Sequence, residues 1–135
     1  MESFKPLELS TLLWASAKIG PQGDKHAAHW ADSVFEAAVN YIQVNVQEFS
    51  FRNLATTVGA YATIGKSSPR MFHAVALQMP QVMHTANSLE LAKTAWAFGT
   101  ANVHNEKLFA SLARCAHMAA SRSLVRQRMP VLCIV

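Results

Sequence analysis

Residues 4–20 read FKPLELSTLLWASAKIG, and whether this run stands alone or recurs decides the fold. It recurs twice. Residues 49–65 read FSFRNLATTVGAYATIG and residues 88–102 read SLELAKTAWAFGTAN, so that Leu9, Leu54 and Leu91 coincide, as do Ala15, Ala60 and Ala97. Trp14 falls opposite Gly59 and Trp96. A second apolar run follows each copy, around Phe35, Phe72 and Phe109, and these phenylalanines are 37 residues apart in both intervals. Self-similarity at that period is the mark of stacked supersecondary units, and both runs of each unit carry helical spacing. The expected fold is therefore all-α, an α-solenoid of about three helical hairpins of about 37 residues each. Its units span 1–46, 47–85 and 86–128, with a loop insertion at 21–28 and a short apolar tail at 129–135.

On a helical wheel at 100° per residue the first run has two faces. Glu8, Thr11, Ala15 and Lys18 share one arc, and Leu9, Leu13, Ser16 and Ala17 oppose it. The second copy places Asn53, Thr56, Ala60 and Thr63 on the polar arc, and the third places Glu90, Lys93, Ala97 and Thr100 there. The opposite sides carry Leu54, Val58, Tyr61 and Ala62, then Leu91, Ala95, Phe98 and Gly99. They are read as core. In the second runs, Phe35, Ala38, Val39 and Ile42, then Met71, Phe72, Val75 and Met79, then Leu108, Phe109, Leu112 and Ala116 form single apolar stripes. Helix starts are expected at Pro6 or Ser10, at Ser50, at Ser68-Pro69 and at Asn87-Ser88.

The chain has 135 residues, 51% of them hydrophobic, and a net charge of +4. That charge is unevenly spread: residues 1–48 hold six acids and three bases, whereas residues 49–135 hold two acids and nine bases. After Glu106 come Lys107, Arg114, Arg122, Arg126 and Arg128 with no acid. Such asymmetry suits a polyanion such as nucleic acid, and it also suits a solvated basic helix end with no partner. Two cysteines, with no CxxC pair, give no disulfide framework. No stretch approaches the ~20 apolar residues of a membrane helix, so no membrane partner is expected. The first unit begins at Phe4, so any organelle address is expected outside this chain.

FKPLELSTLLWASAKIG resembles the octotricopeptide repeat, with Phe4, Pro6, Glu8, Leu9, Leu12, Leu13, Trp14, Ala15, Ala17, Lys18 and Gly20 in agreement. It is also similar to the helical repeats of Fas-activated serine/threonine kinase-like proteins and of the RNA-editing substrate-binding complex. In the third copy Leu91, Ala92, Thr94, Ala95, Trp96, Ala97 and Phe98 match a variant of that repeat. Gly59, Ala86 and Asn102 depart from it, and residues 119–135 are not expected to hold a RAP domain, the small module often attached in these families. The resemblance implies an RNA-binding protein, or a fragment of one, acting on single-stranded organellar RNA, in the mitochondrial matrix or alternatively in a plastid. Other RNA-processing proteins are implied as further partners.

On that reading Glu8, Thr11, Lys18, Asn53, Thr56, Thr63, Glu90, Lys93 and Thr100 contact RNA, and Arg114, Arg122 and Arg126, sharing one helical face, neutralise phosphates. The small Ala15, Ala60 and Ala97 let a strand approach. The plainer reading makes the stripe a solvated helix face. Trp14 and Trp96, about 40° beyond its edge, read first as packing between units and second as stacking surfaces. His26, His29 and Asp32 have a spacing a metal can use, but a loop and a helix start explain them as well, and no metal or other cofactor is expected. No phosphate loop, carboxylate pair or activated nucleophile is visible, so binding rather than catalysis is expected. The competing function is a protein-binding scaffold, since solenoid grooves also clasp peptides.

Overall fold

Three helices begin at a residue whose side chain supplies a missing hydrogen-bond partner: Ser50, Asn87 and Asn105. The computed structural model describes residues 4–19, 25–66 and 68–134, with side chains described as far as Ser121, apart from Ala27. Six α-helices lie among the described residues: α1 (Pro6–Ile19), α2 (Lys25–Asn45), α3 (Phe51–Thr63), α4 (Pro69–Val82), α5 (Ser88–Thr100) and α6 (Glu106–Ile134). Pro6 opens α1, where its missing N–H costs nothing. Ser50 caps α3 by accepting from the Asn53 N–H at 3.2 Å. Asn87 and Glu90 form a reciprocal capping box at the start of α5. At Ser68 the side chain makes no cap bond, and Pro69 alone marks the start of α4.

The ends of α3 and α5 are built alike. The Lys66 N–H reaches the Tyr61 carbonyl at 3.0 Å and the Val103 N–H reaches that of Phe98 at 3.1 Å. Both closures need a left-handed residue one position earlier. Gly65 fills it with φ of +72° in the first case, and Asn102 with φ of +57° in the second. Asn102 thus does the work of the glycine that it replaces.

The helices pack in two sets. In one, α3 lies between α1 and α5; in the other, α4 lies between α2 and α6; and each helix of the first set touches the next helix in the chain. Leu9, Leu13, Leu54, Val58, Phe98, Phe35, Ile42, Phe72, Val75, Met79 and Leu108 are fully buried between the sets. Two edge-to-face aromatic pairs tie one set to the other. The Phe35 and Tyr61 centroids are 4.8 Å apart at 84°, and those of Phe72 and Phe98 are 5.1 Å apart at 77°. Ser16 occupies the position that Tyr61 and Phe98 hold in the later copies, and its hydroxyl is buried without a partner. The Tyr61 hydroxyl, by contrast, donates to the Phe35 carbonyl at 2.6 Å.

Three expectations need correction. Lys25 to Ala28, placed in an inserted loop, belong to α2, where Phe35 is the eleventh residue, while Phe72 and Phe109 are the fourth of their helices. The insertion therefore adds about two helical turns, because Lys, His and Ala carry no helix-breaking chemistry. The apolar tail is likewise no separate element, since the backbone of α6 continues to Ile134. Ala116 is exposed rather than buried, because among the described residues no further helix packs beyond α6.

Two stability predictions follow from these contacts. Tyr61→Phe removes one buried hydrogen bond and should cost about 1 kcal/mol in urea unfolding. Burial pushes the Tyr61 hydroxyl far above its ordinary value of 10.0, so the folded state keeps a proton that the unfolded chain releases. Stability held below pH 10 should therefore fall above it by about 1.4 kcal/mol per pH unit, and Tyr61→Phe should lack that component. At Asn102, substitution by valine should cost about 1–2 kcal/mol, because a β-branched residue resists the left-handed conformation, while glycine should be tolerated.

Candidate nucleic-acid interface

The outward side of α1, α3 and α5 holds an open groove. Its first part, about 390 Å³, is lined by residues of all three helices, among them Thr11, Arg52, Asn53, Thr56, Glu90 and Lys93. Its second part, about 200 Å³, is lined by Trp14, Lys18, Thr56, Gly59, Thr63, Lys93 and Trp96 among others. Trp14, Ala55, Thr56 and Lys93 border both, so the two are continuous. Leu7, Arg52 and Leu89, each from the first turn of its helix, meet at the first part. Three helix N-termini therefore open on the same end, and their dipoles add positive potential to Arg52 and Lys93.

Seven of the twelve residues expected at an RNA site line this groove: Thr11, Lys18, Asn53, Thr56, Thr63, Glu90 and Lys93. Glu8 and Thr100 are exposed but line neither part. The Glu8 carboxylate instead accepts from the Lys5 N–H at 3.0 Å, just as that of Glu90 accepts from the Asn87 N–H at 3.0 Å. Both acids thus have a structural task at a helix start. The hydroxyls of Thr11 and Thr63 donate back to the Leu7 and Gly59 carbonyls, each at 2.7 Å, which leaves their oxygens as acceptors. Arg114 is not part of the groove. It borders a separate cleft of about 420 Å³ with Pro80, Met83, His84, Ser111 and Cys115. The side chains of Arg122 and Arg126 lie outside the described residues.

The small-residue expectation fails in part. Ala60 and Ala97 are buried and Ala15 is half-buried. A helix with neighbours on both flanks and another layer beneath exposes a narrower arc than a lone hairpin does, and the middle helix exposes the least. Along α3 only Arg52 and Thr63 are exposed, with Asn53, Thr56 and Gly59 half-buried. The tryptophans correct the other way. Trp14 and Trp96 retain 47% and 52% of their surface, so they border the groove and do not fill an interior seam. Arg52 is the residue that wheel reasoning missed. It sits one position before the polar arc of its copy, where the other copies carry leucine, so only the three-dimensional convergence of helix starts reveals it.

Elsewhere, Lys66 bridges Asp32 at 3.3 Å and Glu36 at 3.5 Å across the first two helix pairs. Among the described residues no group of three His, Cys, Asp or Glu side chains is placed to hold a metal ion. None of the described helices is long and apolar enough to cross a membrane.

Comparison with known proteins adds one relative. The chain is 27% identical over 97 residues to a RAP domain-containing protein, chloroplastic, from Oryza sativa subsp. japonica. The match takes in 72% of this chain and 14% of that protein. No family model matches, and no solved structure matches.

The capping role of Glu90 can be separated from its charge. Asn87→Ala should lower stability by about 0.5–2 kcal/mol, measured by thermal unfolding. Glu90→Gln keeps a cap acceptor and should leave stability within about 0.5 kcal/mol.

Proposed function

We propose that this chain is an RNA-binding helical-repeat protein, or a part of one, acting on single-stranded RNA in an organelle. Its three helix pairs form consecutive turns of a short α-solenoid, and the first helix of each pair presents its polar stripe to the strand. The observation that carries this reading is the groove itself, which gathers hydrogen-bonding, cationic and aromatic side chains from three helices into one continuous surface. Lys18, Arg52 and Lys93 outnumber the single acid Glu90 along it. Thr11, Asn53 and Thr56 supply groups that pair with base edges. The protein works by binding in transcript processing or stability, not by catalysis.

The relative supports an organelle as the working compartment through its chloroplastic description. It does not single out the mitochondrial matrix, and the plastid stands as the alternative. RAP-domain proteins also fit the class that the recurring stretch resembles.

A protein-scaffold reading has one specific observation in its favour. A cleft of about 450 Å³ along α5 and α6 is lined largely by apolar side chains, including Leu91, Ala95, Phe109 and Leu112. It suits a protein neighbour better than a polyanion, so RNA-processing proteins are proposed as further partners on that side.

Salt dependence distinguishes the two. Affinity for an unstructured RNA oligonucleotide should fall steeply between low and moderate salt, with a slope near −0.7 per phosphate neutralised. Replacing Lys18, Arg52 and Lys93 together by alanine should flatten the log–log slope by about 2, whereas Arg114→Ala should leave it unchanged. Binding that ignores salt, or that is lost with Arg114 and not with the three groove cations, would overturn the groove assignment.

A further inference from the structure

The row formed by Trp14, Gly59 and Trp96 contains an anomaly that the packing does not explain. Gly59 lies inside α3, where glycine costs about 1 kcal/mol relative to alanine. Its backbone is ordinary helix, with no positive φ. A methyl group added at Gly59 would meet no atom within 4 Å beyond its chain neighbours and its own helix backbone, so neither close approach nor backbone conformation requires a glycine. What lies above it is open space, bordered on the α1 side by Trp14 and on the α5 side by Trp96. Gly99 is equally unobstructed but lies outside this slot.

The slot has the size and the walls of a site for one flat ring. Its volume is about 200 Å³, below the ~300 Å³ at which pockets for drug-sized molecules begin. The two indoles are each about half exposed, which leaves ring surface available. Lys18 and Lys93 stand at the same slot, and Ala60 forms part of its floor. Thr56 also lines it, half-buried, and its hydroxyl can both donate and accept a hydrogen bond. Flat apolar walls, cations at the rim and a threonine hydroxyl match the chemistry of a nucleotide: a stacking base, its flanking phosphates and a polar base edge.

Resting on the RNA-binding reading above, we propose that Trp14, Gly59 and Trp96 form a slot for one unpaired nucleobase. The base lies between the indoles, Lys18 and Lys93 hold the adjoining phosphates, and Thr56 reads a base edge. Gly59 keeps the slot open where a third tryptophan would close it. In the free protein the Lys18 ammonium sits 5.7 Å from the Trp14 ring centroid. An exposed cation–π contact of this kind is weaker than the stacking of a base on an aromatic ring. Exchange of Lys18 from the ring to a phosphate, with a base taking its place, is therefore favourable.

The test uses the whole chain carrying Trp30→Phe, so that fluorescence reports on Trp14 and Trp96 alone. Unstructured oligo(A) and oligo(U) RNAs are titrated at two salt concentrations. Binding should quench the indole emission. Trp14→Ala and Trp96→Ala should each weaken binding about 5- to 150-fold, the range that base–aromatic stacking represents, without changing the salt slope. Phenylalanine at either position should retain most of the affinity. Gly59→Trp, placed in open space on a folded helix, should lose affinity as the alanine variants do. Salt-sensitive RNA binding with no quenching, and with Trp96→Ala and Gly59→Trp within twofold of the parent, would overturn the slot and leave the RNA reading standing. Failure of the parent chain to bind either RNA would overturn both.

Discussion

The packing of α3 between α1 and α5 fixes almost everything else about this molecule. Three helices lying side by side with their starts at one end put equivalent positions of the recurring stretch into rows. Buried Ala60 and Ala97, together with the fully buried Thr57 and Thr94, let these helices come close. Thr57 and Thr94 tolerate that burial because each returns its hydroxyl to a carbonyl one turn back, at 2.7 and 2.9 Å. The second set is held in register beneath by the Phe35–Tyr61 and Phe72–Phe98 contacts. Loss of that register would scatter the rows, and the groove would cease to exist as one surface.

The core was legible in the sequence because its signal is periodic. Leu9, Leu54 and Leu91, and the three phenylalanines at 37-residue intervals, mark positions that recur for a packing reason, and all but Phe109 are buried. The capping residues were legible for the same cause, since Ser50, Asn87 and Pro69 act locally. What a helical wheel does not contain is the neighbours. It assigns Ala60 and Ala97 to the polar arc, correctly as angles, yet flanking helices close over that edge. It puts Trp14 and Trp96 outside the arc, yet long indoles reach back to the groove. The extra residues of the first unit were visible as a count but not as a shape, because a gap between aligned runs looks the same whether it is loop or added helix.

Arg52 and Arg114 illustrate the same limit in charge. Both are cations of the basic portion of the chain, and sequence position favours Arg114, which lies in the acid-free stretch. In space Arg52 joins the groove through the start of α3, while Arg114 faces a different cleft. Charge runs along a sequence describe a field; they do not locate a contact.

The two scales of charge then have different work. Lys107 and Arg114 lie away from the groove, and at a screening length of about 8 Å in physiological salt such charges act on the approach of a polyanion more than on its final pose. The groove's own cations, Lys18, Arg52 and Lys93, come one from each first-set helix, so phosphates held by them would run across the helices and not along any one of them. That direction would carry the proposed strand past Trp14, over Gly59 and on to Trp96. Stacking between those walls gains from a base that is already unpaired and pays no cost of opening a duplex. A paired helix, whose bases are covered, offers the indoles nothing comparable. On the proposed function, a preference for single strands would rest on the geometry of three side-by-side helices as much as on the identity of any single residue.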